Sequence, residues 1–594
     1  MSDSKNNGSN TSHRLHTNIK LLKKSSLNSL NSIGLTKSLD IEIDNNQDND
    51  DQINNNDTSN RINKMKTDVK EVNDIGNSWI NWRKSSINSI NKPSIEDITK
   101  DNKDINVTSS WSFWNNNNKT LTTSVTPKDY PQEEIIATNK ILQSIPDAAL
   151  FEPHEIDSSS LPSNIEFNNN DKDKVVPNFN ESLPIYSTKD TIINSYNRLK
   201  HSIGLSTNDP IHLYRTNESN HHHYHHHHGI KKILIIGVHG FFPTKMIRPI
   251  IGEPTGTSLK FINEVEKSIW KWIKSCQITD EIKIQKIALE KEGKILDRVD
   301  FFYKILQNWK EEIINSDYIY IAAHSQGCPV SIILLAKLIK SFLHNNNNQK
   351  ITLLAMAGIN NGPFYGLIDQ NFVIKAYSTF ENDSLKELFS FQKLDSENSQ
   401  IYLESLTILL DFNVKIIFIG SINDQLVPLY SSNCLHIRHP NIYRATFIDG
   451  NSNTPEFVTR TISIANHLHN LGLSDHGVIK EISNVLAGPL TGGGHSKIYQ
   501  SSSVYDLALQ FTLYTTDLPY KIPIKLKPYS IDQLGLNPYH LPWCMRGMLF
   551  EVRDNFINGN EEILKLFKEF ENWNPNSKLL KDMKYRLNGL RSKL

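Results

Sequence analysis

The chain has 594 residues, room for several domains, but only 38% of them are hydrophobic and these are unevenly spread, so one large folded unit with a long polar arm is expected. Lys+Arg and Asp+Glu both number 64, and a formal charge of zero excludes the global field that would draw the chain to nucleic acid or an anionic membrane. Cys276, Cys328, Cys434 and Cys544 lie far apart without paired spacing, which excludes a zinc module and a disulfide-stapled secreted domain and makes a reducing, cytoplasmic setting the default.

Residues 1–180 are dominated by Asn, Ser, Asp and Lys, with tracts such as NNQDNDDQINNND, too polar to bury a core that offsets ordering entropy. This arm is expected to be mostly disordered. It carries no signal-peptide core, and its basic stretch at 14–39 reads as solvated chain in preference to an organelle presequence or a membrane-surface helix. Two S-W-x-x-W motifs stand in the arm, at Trp79 and Trp82 and again at Trp111 and Trp114. Exposed indoles need cover, from a protein partner, a membrane interface, or the chain's own folded domain. The strip LQSIPDAALFEPHEI is a second candidate for docking on that domain.

Order begins near residue 181 with KDTIINSYNRLKHSIGL, amphipathic at helical spacing. The tract HHHYHHHH at 221–228 lacks fixed ligand geometry and reads as a low-complexity loop, not a metal site. Apolar runs then alternate with amphipathic stretches: KKILIIGVHGF, IKIQKIALEK, DYIYIAAHS, KITLLAMAGI, VKIIFIGS and NIYRATFIDG are six expected strands, separated by helical patterns. Continuous apolar strands joined by helices specify a mostly parallel, doubly wound α/β sheet covered on both faces. Residues 361–412, longer than a crossover demands, are expected to hold a helical lid over the carboxyl ends of the strands. The core is expected to run over 181–494, and residues 495–594, read as further strands and amphipathic helices, as an extension packed on it.

AHSQG puts Ser325 between a buried strand and an apolar helix, two residues before Gly327. A sharp strand-to-helix turn there lifts the hydroxyl clear of the sheet and aims a helix N-terminus at charge developing beside it. Ala323 occupies the position of the first glycine in the G-x-S-x-G pattern and is still small. On these residues the segment 230–486 resembles α/β-hydrolases of the lipase/esterase kind, in a fungal-type version with an Asn-rich arm.

That resemblance implies Ser, then an acid, then His along the chain. Asp424 in NDQLVP, after the fifth strand, fits the acid, in preference to Asp411, Asp449 and Asp475. His476 in SDHG, before a helix, fits the base, with His495 in the glycine-rich TGGGH as its rival. His324, His467 and His469 read as structural. The oxyanion donors implied are the backbone N–H of Gln326 and of Phe241 in VHGFFP, with Phe242 as fallback. Phe241, Phe242, Met246 and the lid point to an acyl or lipid-like substrate. The expected activity is a serine esterase working through an acyl-enzyme, with no metal or organic cofactor. Two rivals stay open: acyl transfer to an alcohol by the same triad, and a non-catalytic adaptor acting through the tryptophan motifs.

Overall fold

The computed structural model of the chain describes residues 140–156, 172–205, 209–216, 229–241, 257–278, 280–343, 349–365, 383–489 and 493–590. The tryptophan motifs, the histidine tract, Phe242 and Met246 lie outside them.

All six expected strands form: β5 (Lys232–Val238), β6 (Ile282–Leu289), β7 (Tyr318–His324), β8 (Lys350–Met356), β9 (Lys415–Ser421) and β11 (Ile442–Ile448). They pair in parallel in the order β6-β5-β7-β8-β9-β11. Along β5, Leu234, Ile236 and Val238 enter one buried cluster, while Ile233 and Ile235 enter the cluster on the other face. Side chains alternate across a strand, so a run without polar breaks is what a sheet covered on both sides requires. The first face is covered by α3 (Ile295–Asn308), α4 (Gly327–Leu338) and α6 (Glu397–Asp411). The second is covered by α2 (Ser258–Ser275) and α10 (Ser502–Leu513). The chain is therefore α/β and doubly wound.

Both edges of this sheet are closed by a segment expected to be part of the structureless arm. The strands β1 (Ile141–Ile145) and β2 (Ala148–Phe151) form a hairpin, and β2 and β3 (His154–Ile156) pair antiparallel with β6. At the opposite edge β4 (Lys174–Val176) pairs antiparallel with β11. The arm's boundary at residue 180 is thus corrected: LQSIPDAALFEPHEI docks on the core as strands, where Ala148 to Phe151 are fully buried and satisfy an otherwise open edge. His154 anchors it further through Glu266, 2.6 Å away, which also holds the buried Lys286 of β6 at 2.7 Å.

Two further expectations are corrected. Within the expected lid, α6 lies along α4 and buries Tyr402, Leu406, Leu409 and Leu410 in the core, so it is the crossover helix between β8 and β9. Residues 366–382 lie outside the described residues, and α5 (Asp383–Ser390) is tied to the start of α3, where Glu387 accepts from the Ile295 N–H at 2.8 Å. The expected boundary at 494/495 cuts a continuous unit, because α10 is itself a core helix. The helices α7 (Glu456–Asn470), α8 (Val478–Leu486), α11 (His540–Asn555), α12 (Gly559–Asn572) and α13 (Lys578–Leu587) bury a third cluster together with Ile422, Leu429 and Tyr430, in and beside the loop after β9. Among the described residues no helix is long and apolar enough to cross a membrane.

The strand order fixes where a site can form. From β5 the chain goes to β6 on one side and then returns to β7 on the other, so the carboxyl ends of β5 and β7 flank the point where the winding reverses. His239 and Gly240 leave one of those ends, and Ser325 leaves the other.

Candidate active site

Ser325 sits between the last residue of β7 and the first turn of α4 with φ at +55°. A non-glycine residue in this left-handed region costs on the order of 1–3 kcal/mol, so the surroundings must enforce it. They do so from two directions: the Ser325 N–H donates to Met356 O at 2.9 Å, and its carbonyl accepts from Cys328 N at 3.1 Å and Ile359 N at 3.4 Å. Gly327 completes the turn because a Cβ there would lie 2.4 Å from His239 O. The loop after β5 is thereby pressed against the elbow, and a methyl on Gly240 would approach Ser325 Cβ to 2.9 Å. Ala323, fully buried between Val238 and Ala355, meets the same demand for small residues.

The loop after β9 divides the Asp424 carboxylate between two tasks. Oδ1 accepts from the N–H groups of Leu426 at 2.7 Å and Val427 at 2.9 Å, the turn-forming role of an aspartate. Oδ2 accepts from His495 Nδ1 at 2.7 Å. A carboxylate oxygen accepts, so this contact makes Nδ1 the donor and leaves Nε2 as the nitrogen that can exchange a proton. His495 is held by its backbone as well: its N–H donates to Gln425 Oε1 at 2.9 Å, and its carbonyl accepts from His324 Nε2 at 2.9 Å. Gly494 lets the backbones come this close, since a Cβ there would lie 2.1 Å from Asn423 O. The rings of His324 and His495 are 4.6 Å apart. Burial, with His495 beside it, pushes His324 well below the ordinary imidazole range, so this neighbour of Ser325 is a neutral donor.

The expected pairing of His476 with Asp424 is corrected by this geometry. His476 stands at φ +54° with its side chain 41% exposed, and its Nε2 lies 3.3 Å from Glu551 of α11. The SDHG motif caps a helix: Asp475 accepts from Gly477 N and Ile479 N, both at 2.9 Å, at the start of α8. Asp475 also meets His469 Nε2 at 3.1 Å, and this histidine and these donors hold the buried carboxyl far below the carboxylate range against its desolvation. Of the other acids weighed, Asp449 pairs with Lys497 and Asp411 is exposed at the end of α6. His467 packs against the Phe556 ring at 4.2 Å, a structural role as expected.

Gln326 begins the helix after Ser325, and Phe241, half-buried, follows Gly240. Sequence reasoning missed the group that joins them, Arg298 of α3. Its guanidinium is fully buried and donates to Gln326 Oε1 at 2.8 Å, His239 O at 2.7 Å and Gly240 O at 3.4 Å. Burial pushes it down to about 9, opposed by Glu292 and Glu387 acting through space. Burial, then the Arg298 charge, also pushes His239 well below the imidazole range. Gln425 and Gly494 were missed too. The run of glycines immediately before His495 was the available signal, since glycine clusters mark close backbone approach as well as flexible connectors. Among the described residues no group of three or more His, Cys, Asp or Glu is arranged to hold a metal ion.

The model of the YMC0/YMC35 alpha/beta hydrolase domain family matches residues 188–552 of the chain. No curated protein matches it in sequence. Among solved structures it is similar to the phospholipase PlaB of Legionella pneumophila, at 15% identity and a TM-score of 0.23, over 34% of this chain and 45% of that one. Est1E of Butyrivibrio proteoclasticus is 14% identical over 39% of this chain and 86% of its own, with a TM-score of 0.23. The lipase BlEst2 of Bacillus licheniformis is 13% identical over 35% of this chain and 71% of its own, with a TM-score of 0.20. The matched region thus spans less than half of the Legionella enzyme's length.

Proposed function

As the chain belongs to the YMC0/YMC35 alpha/beta hydrolase domain family, we propose that it is a serine hydrolase that cleaves ester bonds through Ser325, His495 and Asp424. The observation that carries this reading is the 2.7 Å bond from His495 Nδ1 to Asp424 Oδ2, in a chain that also holds a serine at φ +55° on a strand-to-helix elbow. A serine hydroxyl is a weak nucleophile without a base, and a base is useful only when a third group fixes its tautomer.

In this reading Ser325 Oγ attacks the ester carbonyl while its proton passes to His495 Nε2, and the carbonyl oxygen becomes an oxyanion facing the N–H groups of Phe241 and Gln326. Collapse of the tetrahedral intermediate releases the alkoxide, which takes the proton from His495 and leaves the acyl group on Ser325. Water repeats the cycle with His495 again as base, freeing the acid. Asp424 holds the ring through Nδ1–H and stabilises the imidazolium formed in each half. An apolar acyl chain is favoured by the half-buried Phe241 that follows Gly240. Hydrolysis of p-nitrophenyl esters of increasing chain length tests the proposal: activity that rises with chain length and vanishes in Ser325→Ala supports it. Ester turnover undiminished in Ser325→Ala would defeat it.

A further inference from the structure

The Arg298 guanidinium reaches both loops that would supply oxyanion donors, and its acceptors, His239 O, Gly240 O and Gln326 Oε1, are all neutral oxygens. Burying a cation on neutral acceptors is costly, so a residue needed only for packing would be better served by an apolar side chain. The positions of the acceptors explain what the charge achieves. In a trans peptide the N–H points opposite to the C=O, so a guanidinium drawing Gly240 O toward itself turns the Phe241 N–H away from α3. Gln326 is anchored at the other side: Oε1 accepts from Arg298, and Nε2 donates to Gly293 O at 3.0 Å. This holds the residue whose own N–H is the second donor. A positive charge behind the carbonyl ends of these peptides also strengthens their dipoles toward the oxyanion.

Resting on the proposed esterase reading, we propose that Arg298 is a positioning residue for the oxyanion hole, acting on the transition state through the backbones of Gly240 and Phe241 and the side chain of Gln326. Lysine keeps the charge but cannot serve three separated acceptors with one planar fork.

The test compares wild type, Arg298→Lys, Gln326→Met and Ser325→Ala on p-nitrophenyl butyrate. It also measures affinity for an alkyl trifluoromethyl ketone, whose carbonyl accepts Ser325 Oγ and places its oxygen in the hole. For Arg298→Lys, kcat is expected to fall about 10- to 100-fold with KM changed less than about twofold, and ketone affinity to fall by the same factor as kcat. For Gln326→Met, which leaves the guanidinium in place, a smaller parallel loss of about 5-fold is expected, and this variant decides the matter if Arg298→Lys does not fold. A packing role alone would lower thermal stability and raise KM without moving kcat and ketone affinity together, and that result overturns the proposal, as would unchanged values for both in either folded variant. If instead Ser325→Ala retains wild-type turnover, the esterase reading itself fails and Arg298's role with it.

Discussion

Two buried aspartates in this molecule each meet a histidine, and they use their second carboxylate oxygen differently. Asp424 gives one oxygen to the N–H groups of its own turn and the other to His495, in a single helical turn 71 residues further along the chain. Asp475 gives both oxygens to the α8 N-terminus, one of them also facing His469, and so closes on its immediate neighbourhood. In the proposed reading the first pair leaves Nε2 of its histidine to take the Ser325 proton. In the second the buried histidine is spent on the carboxylate, and the adjacent His476 turns outward to Glu551. A buried Asp–His contact is therefore no mark of catalysis by itself. What separates the two is which edge of the sheet the acid loop leaves: Asp424 follows β9 at the carboxyl ends of the parallel strands, while Asp475 follows the connector after α7.

The largest effects should fall on the Asp424 pair. On p-nitrophenyl butyrate, Ser325→Ala and His495→Ala are each expected to lower kcat by at least about 10⁴-fold with thermal stability near that of wild type. Asp424→Asn is expected to cost about 10³- to 10⁴-fold, because the amide's NH₂ cannot accept from Nδ1 and favours the wrong tautomer. Loss of activity in His476→Ala on the same scale would erase the distinction between the pairs.

The Asp475 pair should answer in stability instead. Asp475→Asn is expected to destabilise the fold by about 3 kcal/mol in urea unfolding at pH 7, with kcat within about twofold of wild type. The sign with pH follows from the lowered carboxyl: a group ionised more readily in the folded state contributes fully above its unfolded value near 3.8, and loses that contribution as pH falls toward its folded value. The gap between wild type and Asp475→Asn should therefore be widest near neutrality and narrow as pH falls below about 4. A gap that widens on acidification would contradict the assignment. The smallest effect belongs to His476→Ala, expected to change urea stability by less than about 0.5 kcal/mol, as befits a half-exposed pair with Glu551.

The parallel strands and the elbow were legible in the sequence because they rest on local signals. Six unbroken apolar runs can be buried only in a sheet covered on both faces, and A-x-S-x-G at the end of one of them fits only a tight turn. Asp424, the acid of the proposed triad, was chosen on the same kind of signal, as NDQLVP ends a strand. The histidine that pairs with Asp424 was not legible. SDHG is a strong local pattern for a loop before a helix, and it folds as one, with Asp475 as the cap. His495 is brought to Asp424 by contacts that no spacing encodes: Gly494 against Asn423, the His495 N–H on Gln425, and its carbonyl on His324. The edge strands escaped for a related reason. Segments of three to five residues in a polar stretch carry too little periodicity, and their pairing with β6 and β11 is a long-range event. Arg298 was invisible as well, since an arginine inside an amphipathic helical pattern reads as a solvated face until the fold buries it.

The central claim is that His495 serves Ser325 and His476 does not. The rate of covalent labelling by a fluorophosphonate, with the modified residue identified by peptide mass spectrometry, tests it most directly in wild type, His495→Ala and His476→Ala. The account predicts phosphonylation of Ser325 at the wild-type rate in His476→Ala and a loss of about 10³-fold or more in His495→Ala. Wild-type labelling in His495→Ala, with loss in His476→Ala, would contradict it.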